Sequence, residues 1–159
     1  MTATNRSGVT TFETPSDTDI VITRFVEAPI EQVFDAWTKP EHVTRWMLGP
    51  GGWTMPVCEI DLRPGGAWHF VWRAPDGSEM GMEGEYREVS RPDRLVSTER
   101  WGEPWPETLQ TVVFSEDDDG TTITCTVVYP SKGARDAALE TGMKEGMNQS
   151  FDRLTALLG

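Results

Sequence analysis

Histidine and cysteine are scarce in this chain: 159 residues hold two of each, and no spacing among the four could gather a metal ion. His42 and His69 lie far apart, and Cys58 and Cys125 fall in separate strand-like stretches. No metal and no cofactor is therefore expected, and both thiols read as buried and free. Basic residues are also few: 14 Lys and Arg against 26 Asp and Glu leave a formal charge of -12. Nucleic acid and anionic lipid select the opposite balance, so neither is expected as a partner. No apolar run is long enough to span a bilayer, and the opening residues MTATNRSGVTTF contain no hydrophobic signal core. The expectation is a cytoplasmic protein without membrane insertion. The Gly-x-Ser-x-Gly nucleophile elbow, the phosphate-cradling glycine loop with its Lys, and the dinucleotide fingerprint are missing too. With no catalytic motif on view, a binding protein is expected before an enzyme.

What the chain does have is bulk: seven Trp, seven Met and six Phe, enough to line a pocket as well as to fill a core. At this length one domain is expected, residues 18–159, behind a mobile lead-in over 1–17 that has room for a short strand at Val9 to Phe12. Asp19 to Val26 is rich in β-branched residues and reads as a strand. Ala28-Pro29 then opens a short helix carrying Ile30, Val33, Phe34 and Trp37 on one side, and Pro40 opens a second with Val43 and Trp46. From Met55 to Tyr129 only strand signals follow, separated by turns such as Arg63-Pro64-Gly65-Gly66, Pro75-Asp76-Gly77 and Asp117-Asp118-Asp119-Gly120. Counted without the lead-in, this gives seven strands, and their short links make neighbours antiparallel. The fold class is α+β.

The closing stretch, Ser131 to Leu158, carries Leu139, Met143, Met147, Phe151, Leu154 and Leu158 at helical spacing. It reads as a long amphipathic helix capped by Ser131, with Glu140–Lys144 and Gln149–Arg153 pairs on its wet face and room for a break near Gly142. Gly142, Gly146 and Ser150 form a second stripe of small residues. Close backbone packing and space for a ligand are the two ways to account for it.

Several stretches together resemble the bacterial homologues of the activator of heat-shock-protein-90 ATPase. They are Asp19–Phe25 (DIVITRF), Ala28-Pro29 with Val33–Thr38 (VFDAWT), Pro40-Glu41-His42, Arg45-Trp46, Asp61–Trp68 (DLRPGGAW), Pro75-Asp76-Gly77, Gly84-Glu85-Tyr86, Arg135-Asp136, Gly142-Met143 and Ser150–Leu154 (SFDRL). That family sits in the START and birch-pollen-allergen superfamily, SRPBCC. The resemblance implies a helix-grip fold, a curved antiparallel sheet wrapped round the C-terminal helix with two short helices completing an apolar cavity. It further implies a small hydrophobic ligand, lipid-, polyketide- or aromatic-like. An enzyme of the cyclase or hydrolase kind, a chaperone-contacting module and a homodimer stay open.

Strand parity selects the candidate residues. Trp68, Phe70 and Trp72 alternate in step, and across the turn so do Met80, Met82, Gly84 and Tyr86, while Glu79, Glu83, Glu85 and Arg87 take the other side. Trp68, Phe70, Trp72, Met82, Tyr86 and Trp101, with Met143, Met147 and Phe151 from the helix, are the expected ligand-binding set. Core filling is the alternative for each. Glu99 shares the parity of Leu95, Ser97 and Trp101 and can point inward, where desolvation raises a carboxyl pKa. It is the one catalytic candidate, against the alternative of a solvated carboxylate near a strand end.

Overall fold

The structure, a computed structural model, describes residues 8–102 and 105–158. The strands are β1 (Thr10–Glu13), β2 (Asp19–Val26), β3 (Thr54–Ile60), β4 (Ala67–Arg73), β5 (Glu79–Ser90), β6 (Arg94–Glu99), β7 (Thr108–Glu116) and β8 (Thr121–Val128). They form one eight-stranded sheet in the order β1-β2-β8-β7-β6-β5-β4-β3, with every neighbouring pair antiparallel. Helices α1 (Ile30–Thr38) and α2 (Pro40–Trp46) leave the sheet after β2, and α3 (Lys132–Leu139) and α4 (Met143–Leu158) close the chain. Strand parity explains why one face is covered: β8 buries Thr121, Ile123, Cys125 and Val127 and turns the residues between them outward. None of the described helices is long and apolar enough to cross a membrane.

Two expectations need correction. The sheet has eight strands, because part of the lead-in is structured: Thr10–Glu13 pairs with β2 in the register Thr10↔Arg24 to Glu13↔Val21. Residues 1–7 of that lead-in lie outside the described residues. The closing helix is two helices. Ser131 caps the first as expected, its Oγ accepting from Ala134 N at 3.1 Å. The chain then breaks at Gly142, whose φ of 82° lies in the left-handed region that favours glycine. The break separates Glu140 from Lys144, and Gln149 turns back to Glu145 at 3.3 Å rather than forward to Arg153.

Of the small-residue stripe, Gly142 marks the break, while Gly146 and Ser150 lie against the turn after α2. Gly49 N donates to Ser150 Oγ at 2.9 Å, and a Cβ on Gly146 would stand 3.6 Å from Pro50 Cδ. The turn after α2 therefore lies directly on α4. Beneath it the two short helices and α4 share an aromatic core: Trp46 stacks on Phe151 at 6.1 Å and 16°, Trp37 lies 4.8 Å from Trp46, and Phe34 meets Phe114 edge-on at 5.8 Å. Trp46 Nε1 is satisfied by the Ala36 carbonyl at 2.7 Å.

Arg24 joins α4 to the opposite edge of the sheet. It occupies an inward position of β2 with only 1% of its surface exposed. Its Nη1 donates to Thr10 Oγ1 (2.7 Å) and Asn148 Oδ1 (3.4 Å), and its Nη2 to Asp152 Oδ1 (2.9 Å) and Thr155 Oγ1 (3.0 Å). A charge taken out of water is tolerable only with such partners. Arg24→Ala should lower unfolding free energy by about 3 kcal/mol, through the lost bonds and the space left behind. Arg63→Ala, which removes an exposed pair with Asp61, should change it by less than about 0.5 kcal/mol. Denaturant unfolding of both variants checks the contrast, and equal effects would contradict it.

Candidate functional site

The aromatic ladder forms on the inner face as parity requires. Trp68, Phe70, Trp72, Met82 and Tyr86 are all buried. Ring centroids are 4.9 Å apart for Trp68–Phe70 and 5.8 Å for Phe70–Trp72, and Trp72 stacks on Trp101 at 5.5 Å and 19°. Trp101 is 38% exposed and brings the ladder to the surface. Trp72 is fixed by its Nε1, which donates to the Met47 carbonyl at 2.7 Å. Of the helix candidates, Met143 and Met147 pack half-buried against the core, while Phe151 is wholly buried between Trp46 and Trp37. Met80, which shares the ladder's parity, is 45% exposed at the end of its strand.

Beside the ladder runs a row of polar groups that crosses five strands. Trp68 pairs with Gly84. Gly84 falls opposite Glu99, since the flanking pairs are Tyr86↔Ser97 and Glu83↔Arg100. Glu99 pairs with Thr108, and one step beyond Leu109↔Val128 sets Thr108 opposite Tyr129. Gly84 is required by close approach: a Cβ there would collide with the Thr98 carbonyl and stand 2.7 Å from Trp68 Cζ2. The Trp68 indole thus lies across β5 toward Glu99. Its Nε1 is fully buried and has no hydrogen-bond partner among the described residues, an arrangement that costs free energy unless something accepts from it.

Glu99 is 8% exposed, and its Oε1 accepts from Thr108 Oγ1 at 3.1 Å. Burial raises its pKa from the usual 4.5 to about 7, although the Thr108 bond acts in the opposite direction. Its charge is felt by its neighbours: burial, then Glu99, raises the Tyr129 phenol to about 12, and the same two causes raise the Cys125 thiol. Thr108 and Tyr129 were not singled out in the sequence. Cross-strand register, which one strand's pattern does not contain, is what brings them to Glu99. The outer side of the same strands is charged: Glu83 pairs with Arg100 at 3.1 Å, Glu85 with Arg87 at 3.6 Å, and His69 Nδ1 lies 3.6 Å from Glu59. Among the described residues no three His, Cys, Asp or Glu side chains could together hold a metal ion.

A hollow of about 520 Å³ lies at the ends of β6, β7 and β8, lined by Val96, Thr98, Leu109 and Val128 from the outer side and bordered by Thr108 and Tyr129. We favour the inner face as the site, because that face combines a buried aromatic surface with a buried carboxyl and an unpaired N–H donor. Leu109 and Val128 in the hollow are 40% and 38% exposed.

Because folding raises the pKa of Glu99, the folded state holds its proton more tightly than the unfolded chain does. The carboxyl therefore costs nothing below about pH 4.5 and lowers stability progressively as pH rises toward 7. Glu99→Gln should be the more stable protein at pH 8, by at most about 3 kcal/mol, with the difference vanishing near pH 4.5. Thermal unfolding of both proteins across this range checks it, and a pH-independent difference would contradict the burial of an ionisable Glu99.

Comparison with known proteins agrees with this architecture. Residues 27–159 match the protein family described as Activator of Hsp90 ATPase homolog 1-like protein. The chain is similar to a crystal structure from Rhodobacter sphaeroides, with 28% identity over 94% of this chain and 97% of that one and a TM-score of 0.88. A crystal structure from Mycobacterium smegmatis is 25% identical over 95% and 98% of the two chains, with a TM-score of 0.85. One from Nitrosomonas europaea is 26% identical over 91% and 96%, with a TM-score of 0.81. No curated protein matches the chain.

Proposed function

The chain belongs to the Activator of Hsp90 ATPase homolog 1-like family, with the helix-grip fold of its structural neighbours, and on that premise we propose that it binds a small hydrophobic molecule between the inner face of the sheet and α4. One observation carries the reading. The backbone of α4 approaches the sheet at β1 and β2, whereas the ladder Trp68, Phe70 and Trp72 lies on β4, near the other edge. The helix and the aromatic half of the face are thus separated by side chains, not by direct backbone packing. Met143 and Met147 of the helix are partly buried against the core, and unbranched thioether side chains repack around a guest at low cost. Trp101, stacked on Trp72 and half in solvent, marks where the guest enters.

A second reading rests on Glu99. A buried carboxyl with a pKa of about 7 is matched to proton donation near neutral pH, as a cyclase or hydrolase acting on the bound molecule would need. Glu99→Gln should then abolish turnover while leaving binding in place, and turnover surviving that change removes Glu99 as the acid.

Native mass spectrometry of freshly purified protein tests the binding reading. The expected result is an added mass that is lost on denaturation, or one that appears on incubation with the apolar probe N-phenyl-1-naphthylamine. Met147→Trp, which fills the space, should reduce probe occupancy about tenfold. A protein that stays free of both, yet stimulates a purified chaperone ATPase, would replace a binding protein with an interaction module.

A further inference from the structure

The polar row says what kind of head the guest carries, an inference that rests on the binding reading above. Beside Arg24 Nε on β2 and Arg153 Nη1 on α4, which are buried without a hydrogen-bond partner among the described residues but belong to charged groups elsewhere, two groups of the aromatic half of the inner face lack a full complement. Trp68 offers a buried N–H with nothing among the described residues to accept it. Glu99, 8% exposed, receives one hydrogen bond, from Thr108, where a carboxylate has room for several. Gly84 holds the two close, because the indole fills the space that a side chain at 84 would occupy and Glu99 stands on the next strand. None of the residues that β4 to β8 turn to this face is Lys or Arg; the inward positions are apolar, hydroxyl, amide or thiol apart from Glu99 and, at the far end of β7, the exposed Glu116, which accepts from Ile30 N. Arg24, inward on β2, is already committed to Asp152.

An anionic head, such as the carboxylate of a fatty acid, would meet the Glu99 carboxyl with no Lys or Arg of β4 to β8 beside it, and would be held only at the cost of keeping Glu99 protonated. A pure hydrocarbon would leave the indole N–H unpaired. A hydroxyl meets both demands, since its oxygen accepts and its proton is donated. We propose that the site takes an uncharged alcohol or phenol on an apolar body, its oxygen accepting from Trp68 Nε1 and its O–H donating to the Glu99 carboxylate. Apolar contact with the ladder supplies affinity, and the two hydrogen bonds fix which end of the guest goes in. A site built to bond a hydroxyl discriminates against the analogue lacking it, because its own buried groups are then left unpaired.

The test compares 2-naphthol, naphthalene and 2-naphthoate as competitors of N-phenyl-1-naphthylamine fluorescence at neutral pH. Wild-type protein should bind 2-naphthol about tenfold tighter than naphthalene, and 2-naphthoate most weakly. Trp68→Phe keeps an aromatic ring, smaller than the indole, and removes the N–H; Glu99→Leu keeps a similar volume and removes the acceptor. Each should cut the ratio of 2-naphthol to naphthalene affinity below about threefold, whatever the change in naphthalene affinity itself, with a cooperative thermal transition verifying that the variant is folded. Equal affinity of wild type for 2-naphthol and naphthalene, or an advantage that survives both substitutions, overturns this inference alone. A wild type that takes up neither probe nor competitor overturns the binding reading and this inference with it.

Discussion

The guanidinium of Arg24 lies on the inner face of β2, buried, with bonds to β1 and to three residues of α4, and the placement of the C-terminal helix depends on it. A charge in that position has to be surrounded by acceptors, and the acceptors are spread over one face of α4: Asn148, Asp152 and Thr155. Satisfying Arg24 therefore fixes both the rotation of the helix and its distance from β2. The same requirement draws Thr10 in, so part of the N-terminal segment becomes an edge strand. With one long side of α4 tied to β1 and β2, and the other set on the Gly49-Pro50 turn through Ser150, the helix cannot also sit on β4 and β5. The aromatic half of the sheet is left to be covered by side chains. A region covered in that way is where a small molecule can be accommodated without moving the backbone.

The order of elements was legible in the sequence because it rests on local signals. Proline opened α1 and α2, turn residues separated the strands, and period-two alternation placed Trp68, Phe70 and Trp72 on one side. Glu99 was legible for the same reason: parity alone set it inward. What depends on contacts between distant parts of the chain was not readable. A short strand at Val9 to Phe12 was allowed by the sequence, but its pairing was not: Thr10–Glu13 joins the sheet because β2 offers an edge and Arg24 a donor. Thr108 and Tyr129 meet Glu99 only through the register of β6, β7 and β8. Arg24 looked like an ordinary charged residue in a strand, although its parity with Ile20 and Ile22 placed it inside. The glycines of the closing stretch differ in a way that sequence alone left open: Gly142 breaks the helix, while Gly146 faces the Gly49-Pro50 turn with room for a methyl group.

Within this fold the inner face is not uniformly apolar, and that is its chemical interest. A core built only for stability would not keep an ionisable carboxyl beside an indole N–H that lacks an acceptor, since each lowers the stability of the folded state. Here Gly84, at a position that admits no side chain, brings the two together. Stability is lost at the point where discrimination between guests would be gained, which is the usual relation between a binding site and the scaffold that holds it. The strongly acidic surface has no counterpart inside, where among the buried strand residues Glu99 is the one carboxyl and Arg24 the one guanidinium, and Arg24 is committed to Asp152.

The most direct measurement follows the indole N–H resonances in a ¹⁵N–¹H correlation spectrum during titration with 2-naphthol. Trp46 already donates to a carbonyl, and Trp105 is 39% exposed, so these serve as internal references for Trp68. The account predicts that the Trp68 resonance moves furthest and saturates with the binding isotherm, with Trp72 and Trp101 responding through their stacked rings. Saturable binding that leaves Trp68 unmoved and instead shifts the amides of Leu109 and Val128 would place the ligand in the hollow on the outer side of the sheet and contradict the account.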